Sequence, residues 1–211
     1  MPTVLCFGDS NTWGAIPGSD TGRFGRDVRW PGAMAAILGG DFEVRENGLN
    51  GRTTVYDRLP RPWRNGRDLI VPAMEVCAPI DLVVILLGTN DVSMPQLSVA
   101  DIVRGAGELV TIVRRSWDFG PTPGVAPMPL LVAPHVVGPL DEEDERLSPG
   151  ARERSLELVG AYRDLATMLR CDFFDLSTVV TPSSVDPWHW DADQHQLAAR
   201  AMAQQVRELV G

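Results

Sequence analysis

The run Leu82-Val83-Val84-Ile85-Leu86-Leu87 is apolar at every position. A strand with one face in water alternates apolar and polar side chains, so an unbroken run implies a central strand covered on both faces. Four more strand-like segments follow from the apolar pattern, at residues 3–7, 42–46, 129–133 and 171–175. Between them, residues 30–38, 99–117, 151–169 and 192–210 carry apolar residues at helical spacing. This alternation predicts an α/β chain in which helices cover both faces of a parallel sheet. The last helix is expected to start after Asp191, with Gln194 three residues on in a capping-box arrangement, and to turn Leu197, Ala201, Val206 and Leu209 toward one face.

Three stretches break the rhythm. Residues 57–68 are rich in Arg and Pro, and residues 119–129 contain Pro121, Pro123, Pro127 and Pro129; both read as irregular loops. The acidic run at residues 140–146 reads as a solvated surface segment. None is long enough to mark a second domain, so residues 1–211 are expected to form one.

Charge and cysteines narrow the function. A net charge of −9 argues against nucleic acid or an anionic membrane as partner. Cys6, Cys77 and Cys171 form neither a disulfide framework nor a metal clip. No apolar stretch reaches membrane-span length and no leader pattern opens the chain, so a reducing cytoplasm is the expected location.

In an open parallel sheet, ligands bind beyond the carboxyl ends of the strands. There the sequence places Gly8-Asp9-Ser10-Asn11-Thr12-Trp13-Gly14, then Asn47-Gly48-Leu49-Asn50-Gly51-Arg52-Thr53, then Gly88-Thr89-Asn90-Asp91. Asp186-Pro187-Trp188-His189 precedes the last helix. A serine hydroxyl becomes a nucleophile when an imidazole takes its proton, and a carboxylate holds that imidazole in the required tautomer. Ser10, His189 and Asp186 fit these roles. The backbone N–H groups of Ser10 and Gly51 and the Asn90 amide are candidate donors to an oxyanion.

These four blocks, in this order, resemble those of the SGNH, or GDSL, hydrolase family over nearly the whole chain. The resemblance implies a three-layer α/β/α sandwich of flavodoxin-like topology around a five-stranded parallel sheet. It implies Ser10 as nucleophile, His189 as base, Asp186 as its orienter, and an oxyanion hole of Ser10, Gly51 and Asn90. A closer likeness, to the bacterial arylesterase/acyltransferase branch, is carried by Leu5-Cys6-Phe7-Gly8-Asp9-Ser10, Thr12-Trp13-Gly14, Arg23-Phe24, Asp27-Val28-Arg29-Trp30, Gly51-Arg52-Thr53-Thr54 and Asp81-Leu82-Val83-Val84. It implies hydrolysis of short acyl or aryl esters, transfer of the acyl group to alcohols in some members, and homo-oligomers that narrow the entrance to the site. The sequence departs from the pattern at Pro187-Trp188, where many members carry Gly beside the Asp, and at Asn11, where relatives carry an apolar residue.

Trp13, Asn11 and Trp188 are accordingly expected to contact substrate, and Arg61, Trp63 and Arg64 to make subunit contacts. His195 is a rival base with Asp191 on the same helix, though it reads better as a surface or packing residue; His135 follows the fourth strand and has no assigned role. No cofactor is implied, and no ligand spacing for zinc is present. Within the family, a carbohydrate acetylesterase or a thioesterase is the alternative. From another class, a flavodoxin-like module would hold a phosphate or nucleotide at the helix after the first strand.

Overall fold

A computed structural model describes all 211 residues. Five parallel strands, β1 (Thr3–Gly8), β2 (Glu43–Gly48), β3 (Leu82–Leu86), β4 (Met128–Ala133) and β5 (Asp172–Asp175), lie in the order β2-β1-β3-β4-β5. The eight helices are α1 (Ser10–Trp13), α2 (Trp30–Leu38), α3 (Gly66–Cys77), α4 (Thr89–Val92), α5 (Val99–Arg115), α6 (Glu142–Leu147), α7 (Ala151–Leu169) and α8 (Ala192–Val210). Together they make the α/β/α sandwich of the flavodoxin-like order.

The unbroken apolar strand is explained by its two faces. Leu82, Val84 and Leu86 join Val4 and Cys6 in a core closed by Trp30 and Met34 of α2 and Ala198 and Met202 of α8. Val83 and Ile85 join Leu5 and Phe7 in the opposite core, against Ile70 of α3, Leu109 of α5 and Leu158 and Tyr162 of α7. Successive residues point to opposite layers, and both layers are apolar.

The chain steps from β1 outward to β2 and then back across to β3, so the strand order reverses beside β1. The register pairs Gly8 with both Gly48 and Leu86, which ends β1, β2 and β3 at one level. The segments carrying Ser10, Gly51 and Asn90 therefore leave the sheet side by side at the switch point.

Three local expectations fail. The Arg/Pro-rich stretch passes into α3 from Gly66, a helix absent from the sequence reading; Ile70, Ala73 and Met74 bury one stripe while Pro72 sits on the exposed side. The acidic run, by contrast, lies on the surface as expected and there forms α6, capped by the Asp141 side chain accepting from the Asp144 N–H. The capping box at Asp191 does not form, because Asp191 accepts from the Ser183 hydroxyl and Gln194 from the Thr181 N–H. The reciprocal box belongs to Ser98 and Asp101 at the start of α5. The inner face of α8 is also rotated: His195, Ala198, Ala199, Met202, Ala203 and Val206 are buried, while Leu197 faces outward. The small alanines let α8 lie close against α2.

Candidate active site

Leaving β1, the chain turns directly into α1. A Cβ on Gly8 would fall 2.0 Å from Thr12 Oγ1, and one on Gly48 would fall 2.1 Å from the Trp13 backbone nitrogen. Glycine at both positions lets α1 sit on the strand ends, which brings Ser10 to the floor of the switch-point crevice. The Asp9 carboxylate caps the turn by accepting the Asn11 N–H at 3.0 Å.

The opposite wall comes from the loop before α8. Asp186 accepts the backbone N–H groups of Trp188 at 2.9 Å and His189 at 2.8 Å, folding residues 186–189 into a tight turn. The Gly18 N–H binds its other oxygen at 2.8 Å. His189 Nδ1 lies 3.0 Å from each carboxylate oxygen, and His189 Nε2 lies 3.1 Å from Ser10 Oγ. Partial burial opposes ionisation of Asp186, but the His189 ring and the backbone donors outweigh it and hold the carboxyl well below the usual range. A fixed carboxylate on Nδ1 leaves Nε2 free to accept the serine proton.

Beneath these residues lies a buried polar floor. Arg52 is 4% exposed; its guanidinium donates to the Gly8 carbonyl at 2.8 Å and the Asn47 Oδ1 at 2.8 Å, and stacks 3.9 Å above the Phe7 ring. Burial lowers its pKa to about 9. Asp91, fully buried, accepts the Thr54 N–H at 3.0 Å and the Thr54 hydroxyl at 2.6 Å. Burial raises both Asp9 and Asp91 to about 6, against the hydrogen bonds that each accepts. Arg52 thus ties β1 to the loop after β2, and Asp91 ties that loop to α4.

The floor fixes the would-be oxyanion donors. Gly51 has φ 75°, a left-handed conformation that suits glycine, and neither its N–H nor that of Ser10 donates to any protein group. Asn90 Nδ2 donates to the Arg52 carbonyl at 3.1 Å and approaches Asp9 Oδ2 at 3.5 Å, while Asn90 Oδ1 accepts from Arg58 at 3.4 Å.

Other expected residues fall elsewhere. Asn11 is 1% exposed and its amide donates to the Trp188 carbonyl, so it secures the His189 loop from below rather than offering a surface to substrate. Trp13 is outside the crevice, with Arg23 stacked 4.8 Å from its ring. Trp188 does line it, with Nε1 donating to Asp144 of α6 at 3.3 Å. His195 is fully buried between Phe24 and Trp190 and accepts the Trp30 N–H at 3.3 Å, which removes it as a rival base and from the surface. His135 is buried against Trp190. Burial lowers both histidines to about 4. The phosphate-binding alternative also fails, because α1 is a single turn and the Asp9 carboxylate already occupies its N-terminus.

The crevice over Ser10 is a cavity of about 220 Å³, bounded by Arg58, Asn90, Ser93, Leu147, Trp188 and His189. A larger cleft of about 760 Å³ runs behind the Asp186 turn, and Ser10 is not on its wall. Arg58, Asp144 and Ser148 at the cavity were missed by the sequence reading; they stand in the Arg/Pro-rich and acidic stretches and their margins, where no periodicity marks them.

Comparison with known proteins supplies the family. The model of the GDSL-like lipase/acylhydrolase family matches residues 6–203. An aryl esterase from M. smegmatis superposes with a TM-score of 0.94 at 37% identity, over 100% of both chains. Est24, a carbohydrate acetylesterase from Sinorhizobium meliloti, does so at 0.94 and 37% identity, over 99% of this chain and 100% of that one. A more distant G-D-S-L protein from Desulfitobacterium hafniense, 14% identical with a TM-score of 0.65, covering 97% of this chain and 99% of that one, shares the fold. No curated protein matches. With a family match spanning nearly its whole length, the chain belongs to the GDSL-like lipase/acylhydrolase family and is an ester hydrolase of it.

Proposed function

We propose that the chain, one catalytic domain over residues 1–211, cleaves short-chain acyl and aryl esters through an acyl-Ser10 intermediate. The observation that carries this is the continuous hydrogen-bonded series Asp186–His189–Ser10. His189 Nε2 takes the Ser10 proton as Oγ attacks the ester carbon. The Ser10 and Gly51 N–H groups and Asn90 Nδ2 receive the oxyanion. Collapse expels the alcohol with the proton from His189, and Asp186 stabilises the imidazolium in between. An acceptor hydroxyl then repeats the sequence in reverse, with His189 taking its proton as it attacks the acyl carbon.

A cavity of about 220 Å³ favours a short acyl group, being below the usual range of roughly 300–1,000 Å³ for larger ligands. Water and small alcohols both fit as acceptor, so acyl transfer accompanies hydrolysis in this reading. Carbohydrate acetyl esters are the second reading, favoured by the hydroxyl-bearing wall of Ser93 and Ser148. Homo-oligomer formation, too, is part of the proposal. Leu59 and Trp63 are 82% and 65% exposed on the loop beside the cavity, an apolar surface suited to a subunit contact. Three free cysteines fit a reducing cytoplasm. No helix is long and apolar enough to cross a membrane.

The test is hydrolysis of a short-chain aryl ester by wild type and Ser10→Ala. A loss of ~10³-fold or more in kcat is expected; equal rates in the two proteins reject the proposal.

A further inference from the structure

We propose that Arg58 is a positioning residue for ester cleavage, holding and polarising the Asn90 amide from its oxygen side. The inference rests on the reading of Asn90 as an oxyanion donor. It begins with the asymmetry of the amide's surroundings. Nδ2 faces two acceptors, the Arg52 carbonyl and the Asp9 carboxylate, while Oδ1 faces the Arg58 guanidinium. A flipped amide would set oxygen against both acceptors and nitrogen against a cation. The three contacts therefore select one orientation.

Arg58 adds something that the two acceptors cannot. A cation on Oδ1 draws electron density through the amide and makes the Nδ2 hydrogens stronger donors. One of those hydrogens goes to the Arg52 carbonyl; the other has only the 3.5 Å approach to Asp9 within the protein. Arg58 makes no ion pair with any carboxylate, although the chain carries a net charge of −9. Its one side-chain hydrogen bond is the bond to Asn90.

The backbone that presents Arg58 is secured although the side chain is exposed. The Asn65 amide binds the Val55 carbonyl and the Asp57 carboxylate, each at 3.0 Å, immediately before Arg58. The Arg58 carbonyl itself accepts the Arg61 N–H at 2.7 Å. Tyr56 OH is fastened to the Asp101 carbonyl of α5 at 2.7 Å.

A double-mutant cycle tests the coupling. kcat and KM for an aryl acetate are measured in wild type, Arg58→Gln, Arg58→Lys, Asn90→Ala and the Arg58→Gln/Asn90→Ala double variant, with circular dichroism to verify folding. Arg58→Gln is expected to lower kcat about 10-fold with KM within about twofold, the scale of one solvent-exposed charge-assisted hydrogen bond. Arg58→Lys should recover part of the loss. Asn90→Ala should lose ~10²–10³-fold, and the double variant should be no slower than Asn90→Ala alone. An equal Arg58→Gln loss in the Asn90→Ala background overturns the coupling while leaving Asn90 as a donor. So does a change confined to KM. Undiminished activity of Asn90→Ala overturns both the coupling and the oxyanion reading beneath it.

Discussion

Beside and below Ser10, the charged groups are half-buried or buried and bonded several times over. Arg52 grips two carbonyls and an asparagine amide, Asp91 takes both donors of Thr54, and Asp186 accepts three backbone N–H groups and an imidazole. Above Ser10, the groups are half-buried or exposed and singly held: the Trp188 ring by its bond to Asp144, and Leu147 by no polar group while 56% exposed; Arg58, exposed and held by its bond to Asn90, is the one member that reaches down to the reaction geometry. The difference assigns work to each level. Reaction geometry must be held to fractions of an ångström, so its supports are buried and redundant. Substrate fit tolerates adjustment, so the rim is open and built from loops and a short helix.

Changing the buried supports should therefore alter kcat or folding, and changing Trp188 or Leu147 at the rim should alter the choice of ester. The largest effect is expected for Asp186→Asn, which removes the charge that selects the His189 tautomer. A loss of about 10⁴-fold in kcat is expected in steady-state assays, by analogy with other serine triads. A loss below about 10-fold would put Asp186 among supports of the fold rather than of the reaction.

An intermediate effect is expected in acid stability. Asp91 has its pKa raised to about 6 from 3.8, so between these values the folded chain binds more protons than the unfolded one. Stability conferred at this position thus rises as pH falls from 7 to 4. Compared by urea denaturation, wild type should gain roughly 2–3 kcal/mol relative to Asp91→Asn across that window. A pH-independent difference would show that Asp91 titrates alike in the folded and unfolded chain, its hydrogen bonds fully offsetting its burial.

The smallest effect is expected at the rim. Trp188→Phe keeps a ring on the cavity wall and loses the bond to Asp144. It should change kcat/KM by about threefold and shift the acyl chain-length profile, while kcat for acetate esters stays near wild type. A kcat loss comparable to Asp186→Asn would erase the distinction between the two levels.

The same division governs what the sequence made legible. The strands were readable because Leu82 to Leu86 and Val4 to Phe7 meet apolar layers on both sides. Ser10, Asp186 and His189 were readable because the chemistry demands those residue types at strand ends and turns. Asp9, Arg52 and Asp91 stood inside the motifs, yet their mutual ties depend on which strand ends meet in space, and one chain read in order does not display this. Arg58 and Asp144 sat in charged stretches with no periodicity, where function and solvation look alike. The α3 helix was hidden by Pro72, tolerated on its exposed side, and the packing of α8 by alanines that give a weaker apolar signal than the outward Leu197. His195 sits amid Asp191, Gln194 and Gln196, a polar sequence neighbourhood that conceals its burial against Trp190 and Trp30.

The most direct measurement is the location of the acyl group in mid-reaction. The chain is mixed with a short-chain aryl ester, quenched in acid during turnover, digested and analysed by mass spectrometry. An adduct of one acyl group on the peptide carrying Ser10, absent in Ser10→Ala, is the predicted result. Full turnover by Ser10→Ala, or an acyl adduct that persists in that variant at another residue, would contradict it.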